Sequence, residues 1–210
     1  MLKRKPLFLS VLLLLTVFAP SAFGTQPLDT LKVPVDQIIQ ILNDPQYKDP
    51  SKRDFQHDKI WEIVRTIFDF KAISRLTVGP YWKKFAPSEK EAFSDVFSQF
   101  LGNTYINKIQ GEYQNEEVVF LDQKMISKSK AQVQTKIIRA GVETPINYRM
   151  YKRKDNWKIY DVKIEGVSLV KNYRDQFRKI LLKESPAQLI ERVQEKLENQ
   201  KKKRAADDKD

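Results

Sequence analysis

The chain has 210 residues, with 38 Lys and Arg against 27 Asp and Glu, a net charge of +11. Hydrophobic residues make up 41%, enough for one domain with a sizeable core and too many for wholesale disorder. The absence of cysteine excludes a disulfide scaffold, a thiolate nucleophile and an acyl-cysteine anchor, and a catalytic triad or histidine metal site would have to run on His57 alone.

Residues 1–24 read as a cleaved secretory signal peptide. Lys3, Arg4 and Lys5 form a positive start, an apolar run extends from Leu7 to Phe18, and Ala22-Phe23-Gly24 supplies small residues before the cut. The run is too short for a comfortable membrane span of about 20 residues. Export would remove three cations and lower the net charge from +11 to +8. An exported basic protein is expected to meet anionic headgroups or acidic proteins, and no nucleic acid. The remaining chain divides into a domain over residues 25–198 and a charged, disordered tail over 199–210, which carries Lys201, Lys202, Lys203 and Arg204.

In residues 33–43, Val35, Ile38, Ile39 and Leu42 share a helical stripe. Asp44-Pro45 and Asp49-Pro50 mark a loop. A second helix from Ser51 carries Ile60, Ile63, Val64, Ile67 and Phe68, and a short one carries Ile73 and Leu76 before Gly79-Pro80. Ser88 and Glu91 form a capping-box pattern for a long helix over 88–109, about 33 Å at 1.5 Å per residue. The period then switches to two. Strands are expected at 116–121, 124–128, 131–140, 144–153 and 156–164, joined by short turns into an antiparallel sheet. Val133, Thr135 and Ile137 alternate with Gln132, Gln134 and Lys136, so one face is apolar and the other polar. Ser168 caps a further amphipathic helix, Ser185-Pro186 break it, and Leu189, Val193 and Leu197 mark the last one. The expected fold class is α+β: a twisted antiparallel sheet with helices on its concave face.

Candidate chemistry is sparse. His57 sits between Gln56 and Asp58 and is expected to be solvated. Asp69 and Asp161 lie in apolar surroundings, where burial would suit a carboxyl group to acid–base work. The plainer reading holds each by an arginine or by backbone amides. Glu116-Glu117 is expected to be solvated. The excess is aromatic: Phe93, Phe97, Phe100, Tyr105, Tyr148, Tyr160, Tyr173 and Phe177 project from two helices and the sheet. They form an ordinary core or, collectively, line a cone-shaped apolar pocket.

Several strings resemble the MlaC family of periplasmic phospholipid-binding proteins. The run from Trp157 through Tyr160-Asp161 to Glu165-Gly166-Val167-Ser168 follows that family's W-x-x-Y-D-x-x-x-E-G-V-S segment. Phe68-Asp69-Phe70 through Gly79-Pro80-Tyr81-Trp82, Ser88 to Phe93, and Leu101 to Tyr105 follow in order, so the resemblance covers about residues 33 to 197. It implies an NTF2-like fold whose apolar pocket swallows acyl chains and leaves the headgroup in water. It further implies a monomeric shuttle between an outer-membrane MlaA-like lipoprotein complex and an inner-membrane MlaD-like MCE–ABC transporter complex, maintaining outer-membrane lipid asymmetry. Such a carrier has no catalytic residue, no metal and no cofactor. On this resemblance the lipid-binding set is Phe70, Trp82, Phe93, Phe97, Phe100, Tyr105, Tyr148, Met150, Tyr160, Val167, Tyr173 and Phe177. Two alternatives stay open: an enzyme on the same fold with Asp69 or Asp161 as general base, and an adaptor with a filled core that binds no lipid.

Overall fold

The computed structural model describes residues 26–207; the signal peptide read at 1–24 and the last three residues of the tail lie outside the described residues. No described helix is long and apolar enough to cross a membrane.

Helix α1 (Pro27–Asn43) begins earlier than its apolar stripe, because Pro27 occupies the first helical position, where a missing amide costs nothing. Its Leu28 amide donates to Gln123 Oε1 (2.9 Å), fixing the helix start to the sheet. The expected loop is two single 3₁₀ turns, each opened by an aspartate (Asp44, Asp49) whose carboxylate accepts an amide two residues on. Helices α2 (Arg53–Ile67) and α3 (Phe70–Val78) follow, and Gly79, at φ +55°, ends α3 in the left-handed region.

Helix α4 (Pro87–Glu112) is 26 residues long, about 39 Å. Its cap differs from the expected box. Pro87 draws the start one residue forward, so Ala86 stands at the cap and Glu89, not Glu91, reaches back to the Ala86 amide (2.8 Å). Only the glutamate half of the box exists, since alanine has no oxygen to give.

The sheet is antiparallel throughout, in the order β1 (Glu117–Ser127), β2 (Lys130–Arg139), β3 (Val142–Arg153), β4 (Asn156–Ile164), β5 (Val167–Ser168). The expected α+β class is what the chain adopts. The first two expected strands are one: β1 carries bulges at Leu121 and Ile126. Before the first bulge Val118 and Phe120 face Ile137 and Thr135; after it Gln123 and Met125 face Val133 and Ala131. The bulge reverses the phase of the alternation, so one bent strand reads as two. Ala140-Gly141 and Glu165-Gly166 both have positive φ, the two-residue hairpin geometry. Gly166 therefore turns the chain into the short β5.

Helix α5 (Leu169–Leu181) is capped by Ser168, whose Oγ accepts the Lys171 amide (3.0 Å), as expected. Helix α6 (Pro186–Asp207) overturns the disordered tail: residues 199–207 are helical. Gln200 donates to Thr104 Oγ1 (2.7 Å), and Arg204 reaches Asn103 Oδ1 (3.1 Å) and Asp54 (2.8 Å), so the charged segment is pinned to α4 and α2.

The interior holds two apolar clusters. One lies between α1 and the sheet, where Leu31 covers Val133, Ile146, Met150 and Ile159. The other is helical, built by α3, α4, α5 and α6 around Phe93, Phe97 and Phe177. Phe68 packs against both. It pairs with Ile159 in a single parallel bridge, and the Asp69 amide donates to the Ile159 carbonyl (2.8 Å).

Candidate functional site

The four-residue repeat of α4 sets Phe93, Phe97, Leu101 and Tyr105 along its buried side with Phe100 beside them, and α5 brings Tyr173 and Phe177 against them. The rings interlock: Phe97 stands edge-on to Tyr173 and to Phe177 at 5.1 Å each, and stacks on Phe93 at 5.4 Å. Such geometries add to area burial. Trp82 joins through Phe85, and Phe70 through Phe68. Tyr105 and Tyr173 neighbour each other inside this cluster; burial, and for Tyr173 the neighbouring tyrosine, push both phenols up.

The structure thus groups eight of the twelve expected lipid-binding residues. Tyr148 and Met150 fall in the second cluster, under α1. Tyr160 belongs to neither. It is the extra residue of a bulge in β4, set between the Tyr151 ring (5.7 Å) and the Arg149 guanidinium (5.2 Å). Val167 is 63% exposed on β5. The reading from pattern missed Phe68 as the joint between clusters, although the Ile67-Phe68 run was its signal. It also missed Trp61, which lies so close over Gly102 that a Cβ there would sit 2.7 Å from the indole.

Both apolar clusters are built from buried side chains that pack on one another. Two clefts of about 450 Å³ open on the surface, and most of the residues that line them are charged or carry amides. One runs along Glu191, Glu195 and Lys202 of α6; the other lies between α2, α4 and α6, beside His57, Arg65, Asp95 and Lys201.

The two carboxylates flagged in the sequence are pins. Asp69 accepts from the Ala72 amide (2.8 Å), from Arg153 (3.2 Å) and from the Tyr151 hydroxyl, so it caps α3 and ties it to β3. Burial alone would raise its pKa, but Tyr151, the Ala72 amide and Arg153 outweigh it and hold the carboxyl below its usual range. The Tyr151 phenol is pushed up to about 12 by burial and by Asp69. Asp161 accepts from Ser168 Oγ (2.9 and 2.8 Å) and the Val170 amide (3.1 Å), with Arg149 at 3.7 Å. It locks β4 to the start of α5. Both carboxylates are buried and bonded to the chain's own groups. Among the described residues no three His, Asp or Glu gather in a metal-binding arrangement.

His57 is not solvated: it is 6% exposed, on the side of α2 that faces inward. Its Nδ1 lies 3.3 Å from Asp58. Burial, then the charge of Arg204, lower its pKa, against the pull of Asp58 and Asp54.

The whole architecture recurs elsewhere. A phospholipid-binding protein of Ralstonia solanacearum, solved in complex with a phospholipid, superposes with a TM-score of 0.73 at 22% identity, over 84% of this chain and 99% of its own. The toluene tolerance protein ttg2D of Pseudomonas putida is 27% identical over 172 residues, 80% of this chain and 79% of the relative. The MlaC protein family model matches residues 32–195, a span that runs from α1 through the β4–β5 hairpin well into α6, and on that match the chain belongs to the MlaC family.

Proposed function

We propose that this protein is a periplasmic phospholipid carrier, exported through the leader at residues 1–24, and not an enzyme. The observation that carries the reading is the divided interior: two apolar clusters, one helical and one on the sheet, meet at Phe68. A pair of acyl chains needs an apolar space that can open, and a seam between separately packed clusters is the place where one opens without breaking either. Phe97, Phe100, Tyr173 and Phe177 would receive the chains from the helical side, with Tyr148 and Met150 opposite. The phospholipid held by the Ralstonia relative supports the same reading.

The energetics say why a carrier is needed. Burying a methylene is worth about 0.8 kcal/mol, so two chains of about fifteen sum to roughly 24 kcal/mol, an upper figure. A lipid monomer crosses water too rarely to be useful, and a protein that closes over its tails lowers that barrier. Having no energy source of its own, the carrier follows its partners' gradient. We infer those partners to be an outer-membrane lipoprotein complex and an inner-membrane MCE–ABC transporter, between which lipid asymmetry is maintained.

One observation favours a second reading. The rings of the helical cluster pack directly on one another at 5.1–5.4 Å, as the tight core of an adaptor that never binds lipid would. Organic extraction of the mature protein purified from its own periplasm, with native mass spectrometry, separates the two. The carrier yields one phospholipid per chain. A protein that is empty on isolation, and that stays empty after incubation with phospholipid vesicles, is the adaptor.

A further inference from the structure

The β1–β2 and β3–β4 turns project from one end of the sheet. They touch: the Lys152 amide donates to the Ser129 carbonyl (2.8 Å), and Lys130 pairs with Tyr151 across the strands. This end carries Lys124, Lys128, Lys130 and Lys154, all exposed and none in an ion pair among the described residues. Among them stand two exposed apolar side chains, Met125 at 46% and Ile126 at 59%. Asp155 is the one acid in the two turns.

A plainer account exists for part of this. β1 is an edge strand, and lysines and bulges are common guards against edge-to-edge pairing. That accounts for Lys124 and the bulge at Ile126. It does not reach Lys128 and Lys154, which are in turns, or Lys130, which is on an inner strand. Nor does a guard need two uncovered apolar side chains at the same end of the sheet as these cations.

We propose that this end of the sheet is a docking surface for an anionic lipid bilayer. Long lysine stems let the ammonium groups reach headgroup phosphates while Met125 and Ile126 enter the interface between them. The shape favours a membrane over an acidic protein. Two hairpin tips are convex, and a soft planar surface meets a convex tip without a matching cup. The inference extends the carrier reading by giving the protein a way to reach a lipid surface, and it rests on that reading for its purpose only.

The test is co-sedimentation of the mature chain with vesicles of phosphatidylglycerol and phosphatidylethanolamine at 30:70, against vesicles of phosphatidylcholine alone. Binding is expected only to the anionic vesicles and is expected to fall as salt shortens the screening length below about 10 Å. Each lysine near such a surface is worth about fivefold in partitioning, so K124Q/K128Q/K154Q should lose about 100-fold. M125S/I126S should lose severalfold with the cations intact. All five side chains are exposed, so the fold should survive, and the phospholipid extracted from each variant should match the wild type. Equal binding to both vesicles, no binding to either, or undiminished binding by the triple variant overturns the proposal. So does loss on K201Q/K202Q/K203Q in place of the turn variant, which would move the surface to α6. A chain that docks yet yields no extracted lipid leaves this proposal standing and sinks the carrier reading instead.

Discussion

At the scale of single residues, helical position overrides side-chain chemistry in α2. Polar Gln56 and His57 are buried while apolar Phe55 is 64% exposed. His57 lies three residues before Ile60 and so shares its inward stripe. The inward side of this helix start meets polar groups: Gln56 donates to the Ile41 carbonyl (3.0 Å) and accepts from Gln110 (2.9 Å). Reading hydrophobicity alone put His57 in water; reading its phase against Ile60 would have put it inside. Its pKa is lowered from 6.5, chiefly by burial, so the unfolded chain binds the proton more tightly than the folded one. Stability should therefore be fully present above pH 6.5 and fall as pH drops through 6.5 toward the folded-state value, by at most about 1.4 kcal/mol per pH unit. Urea midpoints at pH 7.5, 6.5 and 5.5 should show this slope in the wild type and lose most of it in His57→Gln. Asp69 does not compete in that window. Its stabilising contribution is present above 3.8 and lost only as pH falls through a still lower folded value.

At the scale of elements, most of the fold is legible because apolar period and cap residues agree. Val133, Thr135 and Ile137 announce β2, and Ser168 announces α5. Legibility fails where a stripe changes chemistry without changing direction. Along α6 the inward positions run Leu189, Val193, Leu197, then Gln200 and Arg204. The helix continues and its facing partners turn polar: Thr104 and Asn103 on α4, Asp54 on α2. The apolar signal stops at Leu197, so the remainder looks like a tail. Truncation after Asn199 removes those contacts and no core residue. Each internal hydrogen bond is worth about 1 kcal/mol and the half-exposed Arg204–Asp54 pair less, so the loss should be about 1–3 kcal/mol. Thermal unfolding should show a lower midpoint with the cooperative transition kept. An unchanged midpoint would mean that the contacts to α4 and α2 contribute nothing in solution.

At the scale of the molecule, the candidate site is only half legible. Ring spacing along α4 and α5 foretells one cluster, because local period decides it. Its separation from the sheet cluster does not show in the sequence, because it depends on where α1 lies and on the single bridge from Phe68 to Ile159. A closed interior that admits lipid must part there, and this has a thermodynamic signature. A ligand that binds only the folded state stabilises it by RT ln(1 + [L]/Kd), about 2.7 kcal/mol at a hundredfold excess over Kd. For a domain of this size each kcal/mol moves the midpoint by about 2–4 °C, so phospholipid loading of the stripped protein should raise it by about 5–11 °C. The gain should not be uniform. Lipid inserted between the clusters replaces ring contacts on both sides of Phe68, so hydrogen exchange should slow along α4 and β3 while the Asp69 amide, bonded to Ile159 across the seam, exchanges faster. Slowing at all three would place the lipid elsewhere than the seam. An unchanged midpoint with unchanged exchange would mean that the interior never opens, and that the rings packed around Phe97 are the end state of the fold and not the closed form of a carrier.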